Sequence, residues 1–436
     1  MREESKIPNT ESKSAQERAN SSAQKITPYI TLFFLMLIYA LSVLDRYIVA
    51  TLVEPIKAEF GLSDGQIGFL TGMAYAVAYA VCGIPIARLA DRTVRIRLIS
   101  ILLAFWSAMT AAAGAATAYW QLVLARAGVG AGESGLVPTA HSLIADLFKP
   151  EHRASAIGVF TFGGVIGGST AFYVGGWMAE TYGWRVTLFA AAAPGFLLAL
   201  LFLLIKEPPR ETLADEQTAA NAPRALLPAL GALFASRQYT RTVVAFAIFA
   251  FVSIAVFYWA PAFMVRSGGF GLAEAGRFLG VAAVFGGVGG ILFLTTLASR
   301  LLRNDVRYHL WIPSAMIGVF FCSALLVLLT PSPTTAYLLF LAEFAAYATA
   351  PPLFAYILSL ARPDQRALAA SVNVVLLSIV GIGFGPQAAG WMSDALRPLF
   401  EQQSLAYGLA ILCLSCPVAI MLLIYNGFRE TRAEVS

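Results

Sequence analysis

Five ionisable side chains stand inside long apolar runs of this chain, where charge is hardest to keep. Asp45 and Arg46 lie in the first run, Arg126 and Glu133 in the fourth, and Glu343 in the tenth. A charge at the centre of a bilayer costs about 3 kcal/mol or more unless it is paired or hydrated, so such residues mark a route for substrate or protons by default. Arg126 and Glu133 are seven positions apart and share one face of a helix. At ~1.5 Å per residue, Asp45 lies ~24 Å and Glu133 ~22 Å from the ends where both termini are expected, and Arg126 a further ~10 Å out. Asp45, Arg46 and Glu133 therefore share a level and form one network if their runs are neighbours. A desolvated carboxylate can take up and release a proton, which makes Asp45 and Glu133 the candidates for proton coupling. Arginine matches phosphate and carboxylate geometry, which makes Arg46 and Arg126 candidates for gripping an anion. The alternative is a purely structural set of ion pairs. Apolar packing would hold two helices in lipid at lower cost, which favours function. His141, eight residues after Glu133, is either a further proton carrier or a packed side chain.

The elements that position these groups must be membrane helices. The chain has 436 residues, 58% hydrophobic and 13% charged, against roughly a quarter charged in a soluble domain. The runs are too long for barrel strands and show no period of two, so helices are the only way to satisfy the backbone in lipid. Twelve spans fit: 29–54, 64–90, 96–115, 119–147, 152–179, 185–206, 241–266, 272–301, 308–330, 334–361, 366–393 and 404–426. The polar first 28 residues lack a signal-peptide core, so the first span is expected to stay uncleaved. With both termini placed in the cytoplasm, only Lys57, Arg185, Arg266, Arg277 and Arg397 of the 30 lysines and arginines fall on the other side, while Arg46 and Arg126 fall within spans. That asymmetry predicts both termini inside. It also accounts for the net charge of +5, so nucleic acid is not an expected partner. The four cysteines lie within spans without metal-ligand spacing to the three histidines. Cys413 and Cys416 read as helix packing because Pro417 follows them and no redox-motif context surrounds them. No metal or cofactor is expected, and no phosphate-cradling G-x-x-x-x-G-K-[ST] occurs.

The chain repeats itself. Lys149-Pro150-Glu151-His152-Arg153-Ala154 returns as Arg362-Pro363-Asp364-Gln365-Arg366-Ala367, Pro138 is matched by Pro351, and Gly176-Trp177-Met178-Ala179-Glu180 by Gly390-Trp391-Met392-Ser393-Asp394. Duplicated blocks of apolar spans are how secondary transporters are built, with the substrate site where the copies meet. The expected organisation is a cytoplasmic tail at 1–28, six spans at 29–206, a cytoplasmic linker at 207–240 with a short amphipathic helix near Leu226–Phe234, six spans at 241–426 and a tail at 427–436. Small-residue pairs recur at Gly163, Gly164, Gly167 and Gly168, at Gly286 and Gly290, and at Gly381 and Gly385. They allow helices to approach closely, either as static packing or as sliding contacts; static packing is the favoured reading.

After the second span the chain reads Ala87-Arg88-Leu89-Ala90-Asp91-Arg92-Thr93-Val94-Arg95-Ile96-Arg97. This resembles the signature of the major facilitator superfamily, with Ala87 and Val94 in place of its glycines and the last basic residue displaced to Arg97. The second half carries a worn copy, Thr295-Thr296-Leu297-Ala298-Ser299-Arg300. The resemblance implies an all-α membrane protein of twelve transmembrane helices in two pseudo-symmetric six-helix bundles. It also implies a conformational latch that joins the cytoplasmic ends of the halves when the transporter faces outward. Asp91, Arg92, Arg95 and Asp146 are the latch candidates here. Asp91 would cap a helix of the other half, where carboxylates are favoured, and Asp146 would pair with Arg92 or Arg95.

A closer resemblance is carried by Leu44-Asp45-Arg46-Tyr47-Ile48-Val49-Ala50, Gly132-Glu133-Ser134, Ile144-Ala145-Asp146-Leu147-Phe148, Tyr182-Gly183-Trp184-Arg185 and Glu207-Pro208-Pro209-Arg210. These are similar to motifs of the Spinster family, which exports sphingosine-1-phosphate and related lysophospholipids. The resemblance implies an amphiphile with an anionic head and an acyl tail. Arg46 and Arg126 would then hold the head. Phe257, Tyr258 and Trp259, with Glu343, Phe344 and Tyr347, would line the tail site in the second half, although core packing is an equal reading for each aromatic. The expected function is proton-coupled secondary transport by alternating access in the plasma (inner) membrane, by a monomer that is not an enzyme. The alternative on the same fold is a symporter of a small organic anion.

Overall fold

The structure, a computed structural model, describes residues 10–208, 226–362 and 365–433. Pro209 and Arg210 of the linker motif and Pro363 and Asp364 of the repeated phrase lie outside them, as do residues 1–9 and 434–436. Every regular element among the described residues is a helix. In the first half these are α1 (Thr10–Thr51), α2 (Val53–Phe60), α3 (Asp64–Gly68), α4 (Ala74–Arg92), α5 (Arg95–Gly114), α6 (Tyr119–Glu133), α7 (Leu136–Leu147) and α8 (Pro150–Phe202). A short helix, α9 (Leu226–Ala235), occupies the end of the linker where one was expected. The second half follows with α10 (Arg237–Arg266), α11 (Leu272–Leu292), α12 (Ala298–Asn304), α13 (Tyr308–Leu329), α14 (Pro333–Ala336), α15 (Leu338–Leu360), α16 (Arg366–Leu376), α17 (Gly385–Phe400), α18 (Ser404–Cys413) and α19 (Cys416–Ala433).

Nine helical stretches among the described residues are long and apolar enough to cross a membrane. Two of them, Pro150–Phe202 with 53 residues and Leu368–Arg429 with 62, far exceed the ~20 residues of one crossing. The first is broken at Gly183, whose φ of 82° and ψ of 163° suit glycine alone. The second turns at Glu401, the one described non-glycine residue with positive φ. The run expected at 119–147 is carried by two shorter helices, α6 and α7, which part at Ser134-Gly135 directly after Glu133. Phe160, Trp106 and Phe202 are fully buried in the first half, and Phe320, Tyr356 and Trp259 in the second.

The end of the bundle that carries the 92–95 loop is called proximal and the opposite end distal. The halves meet along two seams, and both are tight distally. In one, α3 and α4 pack on α17 and the π-helical turn Leu377–Phe384 that precedes it; in the other, α8 packs on α11. A β-carbon added at Gly72 would stand 2.4 Å from the carbonyl oxygen of Gly383, and one at Gly276 would stand 2.4 Å from that of Phe172. The glycines singled out by spacing do a different job. Gly163 and Gly167 press on Met36 and Ala40 of α1, Gly286 and Gly290 on α15, and Gly385 on Phe251 of α10. Each of those contacts lies within one half, in agreement with static packing.

Both seams end in a carboxylate from the repeated Gly-Trp-Met motif. Asp394 of α17 accepts from the backbone N–H groups of Asp64 (2.9 Å) and Gly65 (2.7 Å) at the start of α3. Glu180 of α8 accepts from the N–H of Ala273 at 2.5 Å, at the start of α11. Each half thus caps a helix of the other with the acid that closes its motif copy. A carboxylate at a helix N-terminus satisfies otherwise unmatched donors and opposes the helix dipole, a contribution of about 1 kcal/mol. Between the caps, the Arg266 guanidinium grips Asp64 through two bonds of 2.8 and 2.9 Å and reaches Glu54 at 2.7 Å. Lys57 also pairs with Asp64, and the Ser393 hydroxyl donates to it at 2.7 Å.

Loss of both caps is expected to loosen the distal seam by about 2 kcal/mol, or ~30-fold in its opening equilibrium. The reporter is Ser393→Cys, an isosteric change at a fully buried seam position, with the four native cysteines replaced. Its maleimide labelling rate should rise steeply when Asp394→Ala and Glu180→Ala are added. An unchanged rate would show that the caps do not hold the seam.

Candidate functional site

The network anticipated around the first and fourth runs is present. Glu133, at the last residue of α6, is buried, and its Oε2 accepts three hydrogen bonds. They come from Ser42 Oγ (2.7 Å), Arg46 Nη2 (3.0 Å) and Tyr75 Oη (2.8 Å). Two of these donors sit on α1 and one on α4. Tyr75 was not anticipated; an isolated tyrosine in an apolar run gives no spacing signal. Its ring also faces two guanidinium groups, Arg46 at 5.2 Å and Arg126 at 5.4 Å, within the range of cation–π attraction.

Asp45 faces away from Arg46, beside Arg126, Glu133, Thr110 and Trp106. Asp45 is 2% exposed, and among the described residues its Oδ1 meets no donor in hydrogen-bond geometry, although the Thr110 hydroxyl and Trp106 indole lie beside the carboxylate. Among the described residues, the one hydrogen bond of the Arg126 side chain runs from Nη1 to the backbone carbonyl of Asp45 at 3.0 Å. Its Nε and Nη2 are buried and unmatched. Those two donors form one edge of the guanidinium plane, the edge that binds carboxylate or phosphate in a bidentate manner. Glu133 Oε1 and Arg46 Nε are likewise buried without partners. Two cations and two carboxylates thus share one buried volume, with acceptors and donors left over.

From this network a line of aromatic rings leads into the second half. Tyr258 lies within electrostatic reach of Arg46 and Arg126, and its ring centre is 5.1 Å from that of Tyr47. Tyr47 packs on Phe172 at 5.5 Å. Beyond it opens a cavity of about 330 Å³ lined by residues of both halves, including Tyr47, Phe172, Phe257, Glu343 and Tyr347. Phe257, Glu343 and Tyr347 therefore stand where a substrate site was expected. Trp259 and Phe344 do not. The Trp259 indole is 1% exposed and donates to the carbonyl of Pro386 at 2.9 Å, joining α10 to α17. Phe344 packs on Phe293, 5.6 Å between centres, and on Gly289 and Gly290. Both follow the core-packing reading. His141 packs edge-on to Phe160.

At the proximal end the residues expected to form a latch divide. Asp91 and Arg92 are exposed at the end of α4. Arg95 is buried and pairs with Asp146 at 2.6 Å and with Glu207 at 2.9 Å, while Glu207 also accepts from the N–H of Ile96 at 3.0 Å. All four lie in or just after the first half. The Arg95–Asp146 contact exists while the distal seams are closed, which corrects the expectation that it forms only with the distal side open. It clamps α5, α7 and the start of the linker into one body. Glu207, which completes the clamp, was legible only as part of a motif.

The geometry is that of two helical halves around a charged and aromatic middle, and comparison with known proteins agrees. The model of the Major Facilitator Superfamily matches residues 35–386. A protein of Mycolicibacterium smegmatis described as an MFS-type efflux pump is 32% identical over 383 residues, covering 87% of each chain. Protein spinster homolog 1 of Bos taurus is 27% identical over 377 residues, covering 82% of this chain and 71% of that protein. The crystal structure of a bacterial homolog of the human lysosomal transporter Spinster, in an inward-facing and unoccupied conformation, superposes with a TM-score of 0.76. It is 27% identical and covers 92% of this chain and 95% of that one. This chain is thus a multi-pass membrane transporter that resembles the Spinster proteins, and it belongs to the Major Facilitator Superfamily.

Proposed function

We propose that this protein is a proton-coupled secondary transporter of twelve spans that moves an amphiphile with an anionic head group by alternating access. The unmatched Nε–Nη2 edge of Arg126, buried beside Asp45 and Glu133, carries this reading. A lysolipid phosphate or carboxylate placed on that edge would satisfy two donors at once. The tail would run along Tyr258 and Tyr47 into the cavity between the halves. With both termini in the cytoplasm of the plasma (inner) membrane, the closed distal seams support an inward-facing reading of this state. Asp91 and Arg92, at the exposed end of α4, belong to the face that would meet the other half when the proximal ends close.

Coupling follows from charge balance. Two arginines and two carboxylates sum to zero, and an anion brought among them in a low-dielectric site adds an uncompensated charge. Protonation of Asp45 or Glu133 restores neutrality and frees an arginine for the substrate. Release of the proton lets the carboxylate reclaim it and expels the anion.

In proteoliposomes the protein should transport an anionic lysolipid faster with an imposed pH gradient than without. Asp45→Asn and Glu133→Gln should each remove the gradient-driven part while leaving a folded protein. Undiminished proton-driven flux in both variants overturns the coupling role. A small carboxylate transported in place of the lysolipid would identify the symporter alternative.

Arg126→Lys keeps the charge and loses the planar fork, so its affinity for an anionic lysolipid should fall about tenfold or more, and Arg126→Ala should stop transport. Binding of an uncharged amphiphile with the same tail should change far less. Equal losses for both ligands would show that Arg126 holds helices rather than head groups.

A further inference from the structure

At the proximal end of the second half, α10 and α19 bring arginines together without an acid between them. Asn426 of α19 is fully buried, and its Nδ2 donates to the Gln238 carbonyl and to Thr242 Oγ1 of α10, both at 3.1 Å. That staple fixes the two helices against each other. It holds the guanidinium groups of Arg241 and Arg429 over one ring, that of Tyr425, at 4.5 and 5.9 Å from its centre. Among the described residues neither arginine forms a salt bridge, and the one side-chain acceptor of Arg241 is Asn426 Oδ1 at 3.5 Å. Arg237 is exposed one turn before Arg241 on α10. Like charges at that spacing repel, and the start of a helix is itself positive. The arrangement is unfavourable unless an anion balances it.

The shared ring faces lipid. α19 packs on α10 and α13, and on its other side Val418, Met421, Tyr425 and Phe428 are exposed. Their spacing of three and four puts them in one stripe. Trp311 of α13 lies edge-on to Phe428, 5.4 Å between centres. An aromatic group of this kind marks the level where hydrocarbon gives way to head groups. Arg266, at the far end of α10, belongs to the distal seam, so Arg241 stands at the opposite interface.

Stacking on a ring uses only the face of a guanidinium. Its N–H donors stay in the plane, where they match phosphate by parallel bonds. The apolar stripe that leads away from the arginines adds what a soluble anion would not need, a track for acyl chains. We propose that Arg241 and Arg429, held over Tyr425, bind the phosphate of an anionic phospholipid in the proximal leaflet, with its chains along Met421 and Val418. The site lies on the outside of the second half and shares no residue with the Arg126–Glu133 cluster, so it stands independently of the substrate.

The test is lipid retention by the purified full-length protein in detergent, read by mass spectrometry of the intact complex. Phosphatidylglycerol and phosphatidylcholine with the same acyl chains are titrated separately, and the unaltered protein should prefer the first. Arg241→Gln with Arg429→Gln should weaken phosphatidylglycerol about tenfold or more and leave phosphatidylcholine within about twofold. The retained phosphatidylcholine affinity also reports a folded variant. Arg97→Gln with Arg300→Gln removes the same charge from exposed proximal positions outside the cluster and should leave both lipids within about twofold. Unchanged phosphatidylglycerol affinity in the first pair, or an equal loss in the second, overturns the site. Glycerophosphoglycerol, the head group without its tails, should fail to displace the lipid at equal concentration. Displacement would make the ligand a soluble anion and overturn the phospholipid assignment.

Discussion

One carboxylate oxygen, Glu133 Oε2, gathers donors from Ser42, Arg46 and Tyr75 and so ties α1, α4 and α6 together in the middle of the first half. The constraint behind it is the cost of charge in lipid. Arg46, Arg126, Asp45 and Glu133 are tolerable only as a set, because removing one member leaves its partner as an uncompensated buried charge. The set is not closed, however. The Arg126 edge, Asp45 Oδ1 and Glu133 Oε1 remain unmatched, and buried polar groups are rarely left so without a reason. A fully matched cluster would be glue. A neutral cluster with spare donors and acceptors can exchange one partner for another, and exchange is what coupling a proton to an anion requires.

Under the proposed alternating access, the seams carry the constraint that access to the middle changes sides. On the distal side, Asp394 caps α3 and Glu180 caps α11. The same motif position in each half thus grips the other half. Asp64 adds a shared node that is bound by Arg266, Lys57 and Ser393. The caps sit at helix ends, where water can replace them at modest cost, whereas Asp64 is buried and depends on Arg266 and Lys57 for compensation. The contacts that must not part, such as Gly163 on Met36 or Gly385 on Phe251, are backbone approaches within one half. Backbones therefore approach closely both inside each half and, at Gly72 and Gly276, across the seams, and charge is added at the seam ends.

Much of this was legible in the residues. The repeat, the helical runs and the level shared by Asp45 and Glu133 follow from spacing and from the expense of buried charge, while the superfamily resemblance offered Asp146 either Arg92 or Arg95, and it meets Arg95. Tyr75 and Ser42 were not legible, because a hydroxyl in an apolar run has no period of its own and shows its role only when another helix is beside it. Trp259 was left open between tail site and core for the same reason: an indole beside Tyr258 looks the same on the cavity face as on the packing face. The Asp394 and Glu180 caps were visible as a repeated phrase but not as a function, since a cap is defined by the helix it meets, more than 90 residues away in either case. Spacing singled out glycines that pack within a half and not those of the seams, Gly72 and Gly276. Close approach within a half and close approach across it require the same residue type.

The most direct measurement is of protons rather than of flux. The purified protein in a weakly buffered solution with a pH indicator should take up protons when decylphosphate or an anionic lysolipid is added. The Asp45→Asn, Glu133→Gln double variant should bind the ligand without taking them up. Ligand binding to the unaltered protein with no proton movement near neutral pH would contradict the exchange of anion and proton at the Arg126–Glu133 cluster.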